Sequence, residues 1–267
     1  MLKKEATILI KGAGDVATGV AHALVKNGYQ VVMTEIPNPT TERRAVAFSE
    51  AVYEDEWEVE GLTAKKTSPD EIQHTISEGK IPVIVDPETQ ILKHLNPDIL
   101  IDAIMTKRNT STNLHDAPIT IGLGPGFEAG KNVNAAIETS EGPNLGKVYY
   151  QGSPQPFHGI PCKIEGKTHE RVIKAPQNGT LKVLTSIGEH VDEGQIIAKV
   201  DDLEVKAEIN GVLRGIMRDG LKVKKNTKLG DIDPRDQKEF CFSIAQRSEI
   251  IGEGVLDAIK TLLSRSS

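Results

Sequence analysis

The feature that most constrains this chain is a glycine-rich break between an apolar strand and a helix near the N-terminus. Ala6–Ile10 (ATILI) is a short apolar run, read as a buried parallel strand. Gly12, Gly14 and Gly19 follow it. Val16, Val20, Ala23 and Leu24 then recur at helical spacing, and Asn27-Gly28 closes the helix. Gln30–Glu35 (QVVMTE) reads as a second strand. Gly12-Ala13-Gly14-Asp15-Val16-Ala17 fits G-x-G-x-x-A, after a strand and opening a helix. In a dinucleotide site such glycines let the backbone approach phosphates, and the helix N-terminus offers N–H groups and a positive dipole end. Glu35, at the end of the second strand, stands where an acid takes a ribose hydroxyl. Asp15 cuts against an ordinary dinucleotide. A carboxylate a few ångströms from a pyrophosphate costs on the order of 1 kcal/mol or more, and helix capping is its competing role.

Further strands are expected at Ile81–Val85, Ile99–Ile104 and Ile119–Ile121, with helices over 68–79 and 88–95 between them. Alternating strands and helices predict a Rossmann-like, doubly wound, mainly parallel α/β sheet over residues 1–150. Ligands bind such sheets at the carboxyl ends of the strands. Arg43-Arg44 and Lys107-Arg108 follow strands there, so both pairs are candidate phosphate ligands, with solvated surface charge as the plainer reading. Gly122, Gly124 and Gly126 are candidates for an anion-holding nest, or a turn that merely needs glycine.

After about Gly146 the chain becomes rich in glycine and proline, then in short β segments. Residues 175–200 repeat as 207–232 without a gap: Asn178-Gly179 matches Asn210-Gly211, Gly188 matches Gly220, and Val191 matches Val223. Two copies predict a small all-β barrel-sandwich of biotinyl/lipoyl-like type over 151–267, followed by a C-terminal helix over 253–264. Biotin and lipoate carriers display a lysine at the hairpin between the halves. Asp201 and Asp202 stand there, so no biotin or lipoate attachment is expected.

Net charge is −6, which argues against a nucleic-acid or membrane-surface partner. Cys162 and Cys241 are far apart, and the histidines are scattered, so neither a disulfide framework nor a metal site is expected. With no signal peptide or apolar span in view, the expectation is a cytoplasmic protein.

The stretches KGAGDVATGVA (11–21), ERRAVAFSEAV (42–52), PDILIDAIMTKRN (97–109), IGLGPGFEAG (121–130), AAIETSEGPNLG (135–146), NGVLRGIMRDG (210–220) and DIDPR (231–235) together resemble the YqeB family. These are selenium-dependent molybdenum hydroxylase system proteins, similar at the N-terminus to XdhC-type maturation factors. Two positions depart from the pattern: Asn134 stands where histidine is expected, and Ser140-Glu141 where Arg-Gly is expected. The resemblance implies an accessory role in maturing a molybdenum hydroxylase client, with molybdopterin dinucleotide or NAD(P) as the nucleotide-bearing ligand. Cys162 is the thiol that sulfur or selenium handling would need. An NAD(P)-dependent oxidoreductase and a non-catalytic adaptor are the alternative readings, and a homo-oligomer is left open.

Overall fold

The computed structural model describes residues 6–109 and 111–266, so the charged lead Met1–Glu5 lies outside the described residues. The chain forms two compact units. Unit 1 holds the residues up to Pro39, Ala47–Phe157, and those from Ile244 onward; unit 2 holds Thr40–Val46 and His158–Ser243. This differs from the expected split at residue 150. The C-terminal helix packs in unit 1, and a seven-residue excursion after the second strand belongs to unit 2.

Unit 1 runs β1 (Thr7–Lys11), α1 (Asp15–Lys26), β2 (Gln30–Glu35), α2 (Ala51–Glu54), β3 (Glu56–Val59), β4 (Leu62–Lys66), α3 (Ile72–Ser77), β5 (Ile81–Val85), α4 (Leu92–Leu95), β6 (Ile99–Asp102), β7 (Ile119–Leu123), β8 (Ala135–Ile137) and β9 (Val148–Tyr149). Its strands make one nine-stranded sheet in the order β3-β4-β5-β2-β1-β6-β7-β8-β9. Neighbours from β4 through β8 pair in parallel, while β3 and β9 pair antiparallel at the two edges. Strand alternation sends Leu9, Val32, Ile84 and Leu100 to one face, where Ile72 and Ile91 from the α3 and α4 regions cover them. Each such fully buried aliphatic side chain contributes roughly 1.5–3 kcal/mol.

The last helix, α5 (Gln246–Ser266), lies against α1. Small residues allow the approach. A Cβ added to Gly19 would stand 2.6 Å from Ser248 Cβ, and one added to Gly252 would stand 2.9 Å from Ala23 Cβ. The 253–264 stripe is therefore part of a longer helix, and its apolar face belongs to the first unit rather than to the β domain.

Unit 2 contains β10 (Val172–Lys174), β11 (Gly179–Val183), β12 (His190–Val191), β13 (Ile196–Val200), β14 (Leu203–Lys206), β15 (Gly211–Ile216), β16 (Lys222–Val223) and β17 (Lys228–Asp233). They form two four-stranded antiparallel sheets, β10-β17-β15-β12 and β14-β13-β11-β16. The sequence repeat recurs as elements: β11, β12 and β13 stand at the same offset from β15, β16 and β17. The first strand of each copy pairs with the third strand of its own copy and with the second strand of the other. Leu181, Val191, Ile197, Leu213, Leu229 and Ile232 are among the residues of the shared apolar core. At the hairpin tip, Asp201 accepts the Thr180 N–H at 2.9 Å and donates its own N–H to the Thr180 carbonyl.

The expected fold class is therefore corrected. The first unit is a mixed sheet, not a doubly wound parallel one. The segments joining β6 to β7 and β7 to β8 contain no helix among the described residues, and the helix that packs on β7, β8 and β9 is α5, from the far end of the chain. The second unit is an antiparallel two-sheet domain, not a biotinyl/lipoyl-like barrel closed on itself.

Candidate functional site at the carboxyl rim of the sheet

Adjacent parallel strands β2, β1 and β6 end at a common rim in unit 1. β1 leaves the sheet through Gly12, whose φ of +94° favours glycine. A Cβ there would stand 3.1 Å from the Ala103 carbonyl oxygen just past β6. The Gly12 N–H donates to the Thr34 carbonyl at 2.9 Å. Gly14 is the N-cap of α1, and no side chain caps that helix end. Behind the turn, Thr18 Oγ1 donates to the Gly14 carbonyl at 2.9 Å and accepts the Phe48 N–H. The Ser49 N–H meets the Ala13 carbonyl at 2.8 Å. The turn is thus braced from its inner side.

Glu35 reaches the turn from the end of β2. One carboxylate oxygen accepts the Ala13 N–H at 2.9 Å, and the other accepts the Ile36 N–H at 2.8 Å. Burial pushes this carboxyl above its ordinary value, against the opposing pull of those two donors. Asp15 stands in the first turn of α1, as the sequence reading requires. One of the turn's N–H groups therefore holds a protein carboxylate, and a ligand anion has to approach the uncapped helix end beyond it.

A second group at the rim was only half visible in sequence. Asp102 is buried at the end of β6. Buried Lys11 lies beside it, with Nζ 3.5 Å from Asp102 Oδ2. Lys11 Nζ also donates to Thr112 Oγ1 at 2.9 Å and to Ser111 Oγ at 3.0 Å. Thr112 Oγ1 donates to Asp102 at 2.6 Å, which closes a triangle of lysine, aspartate and threonine. Lys11 lines an open pocket of about 550 Å³ with Thr89, Gln90, Leu92, Ser111 and Asp116 among its walls. Pairing depends on β1 and β6 lying side by side, so residue spacing carries no signal for it.

The other candidates fall in different surroundings. Gly122 is covered by the Phe127 ring, which a Cβ would overlap. The Gly124 N–H bonds the Ile137 carbonyl at 2.9 Å, so that amide serves the sheet. Gly126 lies against the Arg108–Asn109 backbone. Close packing accounts for all three glycines. Lys107 and Arg108 are exposed beyond β6, and Lys107 Nζ stands 5.2 Å from the Phe157 ring centre. Arg43 and Arg44 belong to unit 2. Arg43 is buried and donates to the carbonyls of Phe240 and Ser243 at 3.0 and 2.9 Å; Arg44 donates to the Ile216 carbonyl at 3.2 Å. The backbone of their own unit takes up these donors.

The two departures from the family pattern have structural work. Asn134 Oδ1 accepts the Thr120 N–H and hydroxyl at 2.7 and 3.0 Å, joining the starts of β7 and β8. Ser140 donates its N–H to buried Glu138, which also accepts from Thr139 and Gln155; Glu141 is exposed. Cys162 is exposed and Cys241 is buried. Among the described residues no helix is long and apolar enough to cross a membrane.

Fold and rim together define a two-unit α/β protein with a braced glycine turn, a strand-end acid and an uncapped helix terminus at one edge of a mixed sheet. Over 257 residues, 96% of this chain, it is 44% identical to the uncharacterized protein YqeB of Escherichia coli (strain K12). The chain spans about half, 48%, of that relative. No family model matches it. Similar solved structures include a product-bound ectoine utilization protein EutE (DoeB) from Ruegeria pomeroyi, at 13% identity, 85% coverage of each chain and a TM-score of 0.26. An aspartoacylase family protein from Mesorhizobium loti gives 11% identity, 86% coverage of this chain and 85% of its own, and a TM-score of 0.27. A succinylglutamate desuccinylase/aspartoacylase from Rhodobacter sphaeroides gives 14% identity, 85% coverage of each and a TM-score of 0.27. These are not the molybdenum hydroxylase accessory proteins or doubly wound nucleotide binders that the sequence reading anticipates. Superpositions this low carry nothing about activity.

Proposed function

We propose that the chain binds a nucleotide-bearing small molecule at the glycine turn, with its phosphate at the N-terminus of α1 and a ribose-type hydroxyl on Glu35. The observation that carries this reading is the uncapped N-terminus of a twelve-residue helix directly beside an acid braced by Ala13 and Ile36. Helix N-termini without a capping side chain hold anions through N–H groups and the dipole. The raised pKa of Glu35 suits a carboxyl that exchanges a hydrogen bond with a hydroxyl. The sequence resemblance supports molybdopterin dinucleotide as the first ligand to try, in a role accessory to a client enzyme, with NAD(P) as the comparison.

Gly14 offers the cleanest test. Its φ of −66° and ψ of −178° are open to any residue, so Gly14→Val obstructs the approach of a ligand while leaving the backbone in place. Wild-type protein is expected to gain thermal stability from a pterin dinucleotide or NAD(P), and the variant to lose that gain. A panel of mono- and dinucleotides that moves the wild-type melting temperature nowhere overturns the proposal.

A further inference from the structure

Lys11 and Asp102 break the pattern of the strands that hold them. Alternation puts Leu9 and Lys11 on one face of the sheet, and Leu100 and Asp102 on that same face. The register sets Leu9 beside Leu100 and Lys11 beside Asp102, so an ion pair takes the last rung of an apolar stripe. Both residues are buried. A buried ion pair is a poor source of stability, because desolvation of two charges offsets their attraction, and an apolar pair would fill the rung as well. The rung also lies where ligands gather in open α/β sheets: β2 is on one side of β1 and β6 on the other, so the chain order reverses between β1 and β6.

The hydrogen bonds of this group run in one direction. An ammonium only donates and a carboxylate only accepts. Lys11 Nζ donates to Thr112 Oγ1 at 2.9 Å, and Thr112 Oγ1 donates in turn to Asp102 Oδ2 at 2.6 Å. Moving one proton along each bond turns ammonium and carboxylate into amine and carboxylic acid, with no exchange with solvent. Asn109 holds the relay in place. Its Oδ1 accepts the N–H groups of Ser111 and Thr112 at 3.0 and 2.9 Å, and its Nδ2 donates to the Thr112 carbonyl at 2.6 Å. Lys11 opens on the cavity beside Ser111, whose hydroxyl accepts its other hydrogen bond at 3.0 Å. The cavity walls carry Lys11 and Lys93 against Glu88 and Asp116, with Asp102 paired to Lys11, so no positive surplus draws an anion there. A buried lysine with a proton acceptor at hand suits covalent chemistry on carbonyl compounds instead.

We propose that Lys11 captures carbonyl compounds: its amine condenses with a small, uncharged aldehyde or ketone held in this cavity to give an imine. Lys11 first passes a proton through Thr112 to Asp102. The amine nitrogen attacks the carbonyl carbon, and the carbonyl oxygen takes a proton from that nitrogen to give a carbinolamine. Asp102 returns its proton through Thr112 to the new hydroxyl, which leaves as water while the nitrogen lone pair forms the C=N bond. Ammonium and carbonyl thus become protonated imine and water, and Asp102, a carboxylate again, stays beside the positive nitrogen. No co-reactant is consumed. The site uses neither the glycine turn nor Glu35.

The test incubates the full chain with glycolaldehyde or dihydroxyacetone and traps imines with sodium cyanoborohydride. Wild type is expected to gain one adduct, mapped to Lys11 by peptide mass spectrometry, faster than any exposed lysine is modified. Lys11→Met is expected to lose it. Thr112→Val keeps the side-chain shape and breaks the relay, and is expected to slow trapping at Lys11 by about a hundredfold. Thr112→Ser is expected to restore it, since a hydroxyl is all the relay needs. Those two threonine variants decide the matter should Lys11→Met fail to fold. No reducible adduct at Lys11 with either probe, labelling there no faster than at exposed lysines, or equal rates for Thr112→Val and wild type overturns the proposal. The melting shift with nucleotides is a separate reading and bears on the glycine turn alone.

Discussion

At the scale of single residues, Glu35 carries the clearest pH signature. Its folded pKa is raised above the ordinary 4.5, so the folded state holds its proton more tightly than the unfolded chain does. Stability from this group is complete below the unfolded value and is lost as pH rises from there through the folded value. Glu35→Gln removes the titration. The melting temperature of the variant relative to wild type should therefore rise as pH increases through the acid range; a pH-independent difference would count against a raised Glu35. Gly122 makes a different point. Alanine there forces the Phe127 ring aside, and overpacking of this kind costs about 1–3 kcal/mol. Urea denaturation should report that loss with the slope unchanged, which would mark Gly122 as a packing residue rather than an anion ligand.

At the scale of elements, the contact between α1 and α5 depends on small residues. Gly19→Leu would drive a side chain into Ser248, and Gly252→Leu into Ala23. Each should lower stability by roughly 1–3 kcal/mol, readable as a drop in the denaturation midpoint. A spacing argument finds the helix over 253–264 but not its partner, because an apolar helix face fits any apolar groove. The element that escaped the sequence reading is Thr40–Val46. Its two arginines follow a strand, as phosphate ligands would, yet Arg43 and Arg44 donate to carbonyls of Phe240, Ser243 and Ile216, about two hundred residues away. Only the folded chain brings those acceptors to them.

At the scale of the whole molecule, the interleaving of units has a measurable consequence. Residues 155–160 are exposed and rich in turn formers, which suits them to proteolytic nicking. A cut there severs unit 1 into a large N-terminal piece and the piece ending in α5, while α1 and α5 still pack together. The two fragments should co-elute in gel filtration under native conditions and separate in denaturant; separation without denaturant would contradict the observed packing. Ligand binding acts at this scale too. A nucleotide held at a hundred times its dissociation constant should stabilise the wild-type fold by about 2.7 kcal/mol, read from the shift of the chemical denaturation curve.

The sequence alone was enough for the glycine turn, the helix it opens, the strand ending in Glu35, and the repeat that reappears as β11–β13 and β15–β17. All of these rest on local periodicity and turn chemistry, which neighbouring residues dictate. Tertiary structure alone decided that the sheet is mixed, that α5 packs on its β7–β9 half, and that the β unit is two sheets. It also decided that Lys11 meets Asp102, that Arg171 pairs with Asp231, and that Arg214 and Arg235 share Asp233. Those outcomes depend on which strands pair and which faces close. Both are settled by contacts between residues far apart in the chain, and such contacts leave no period in the sequence to read.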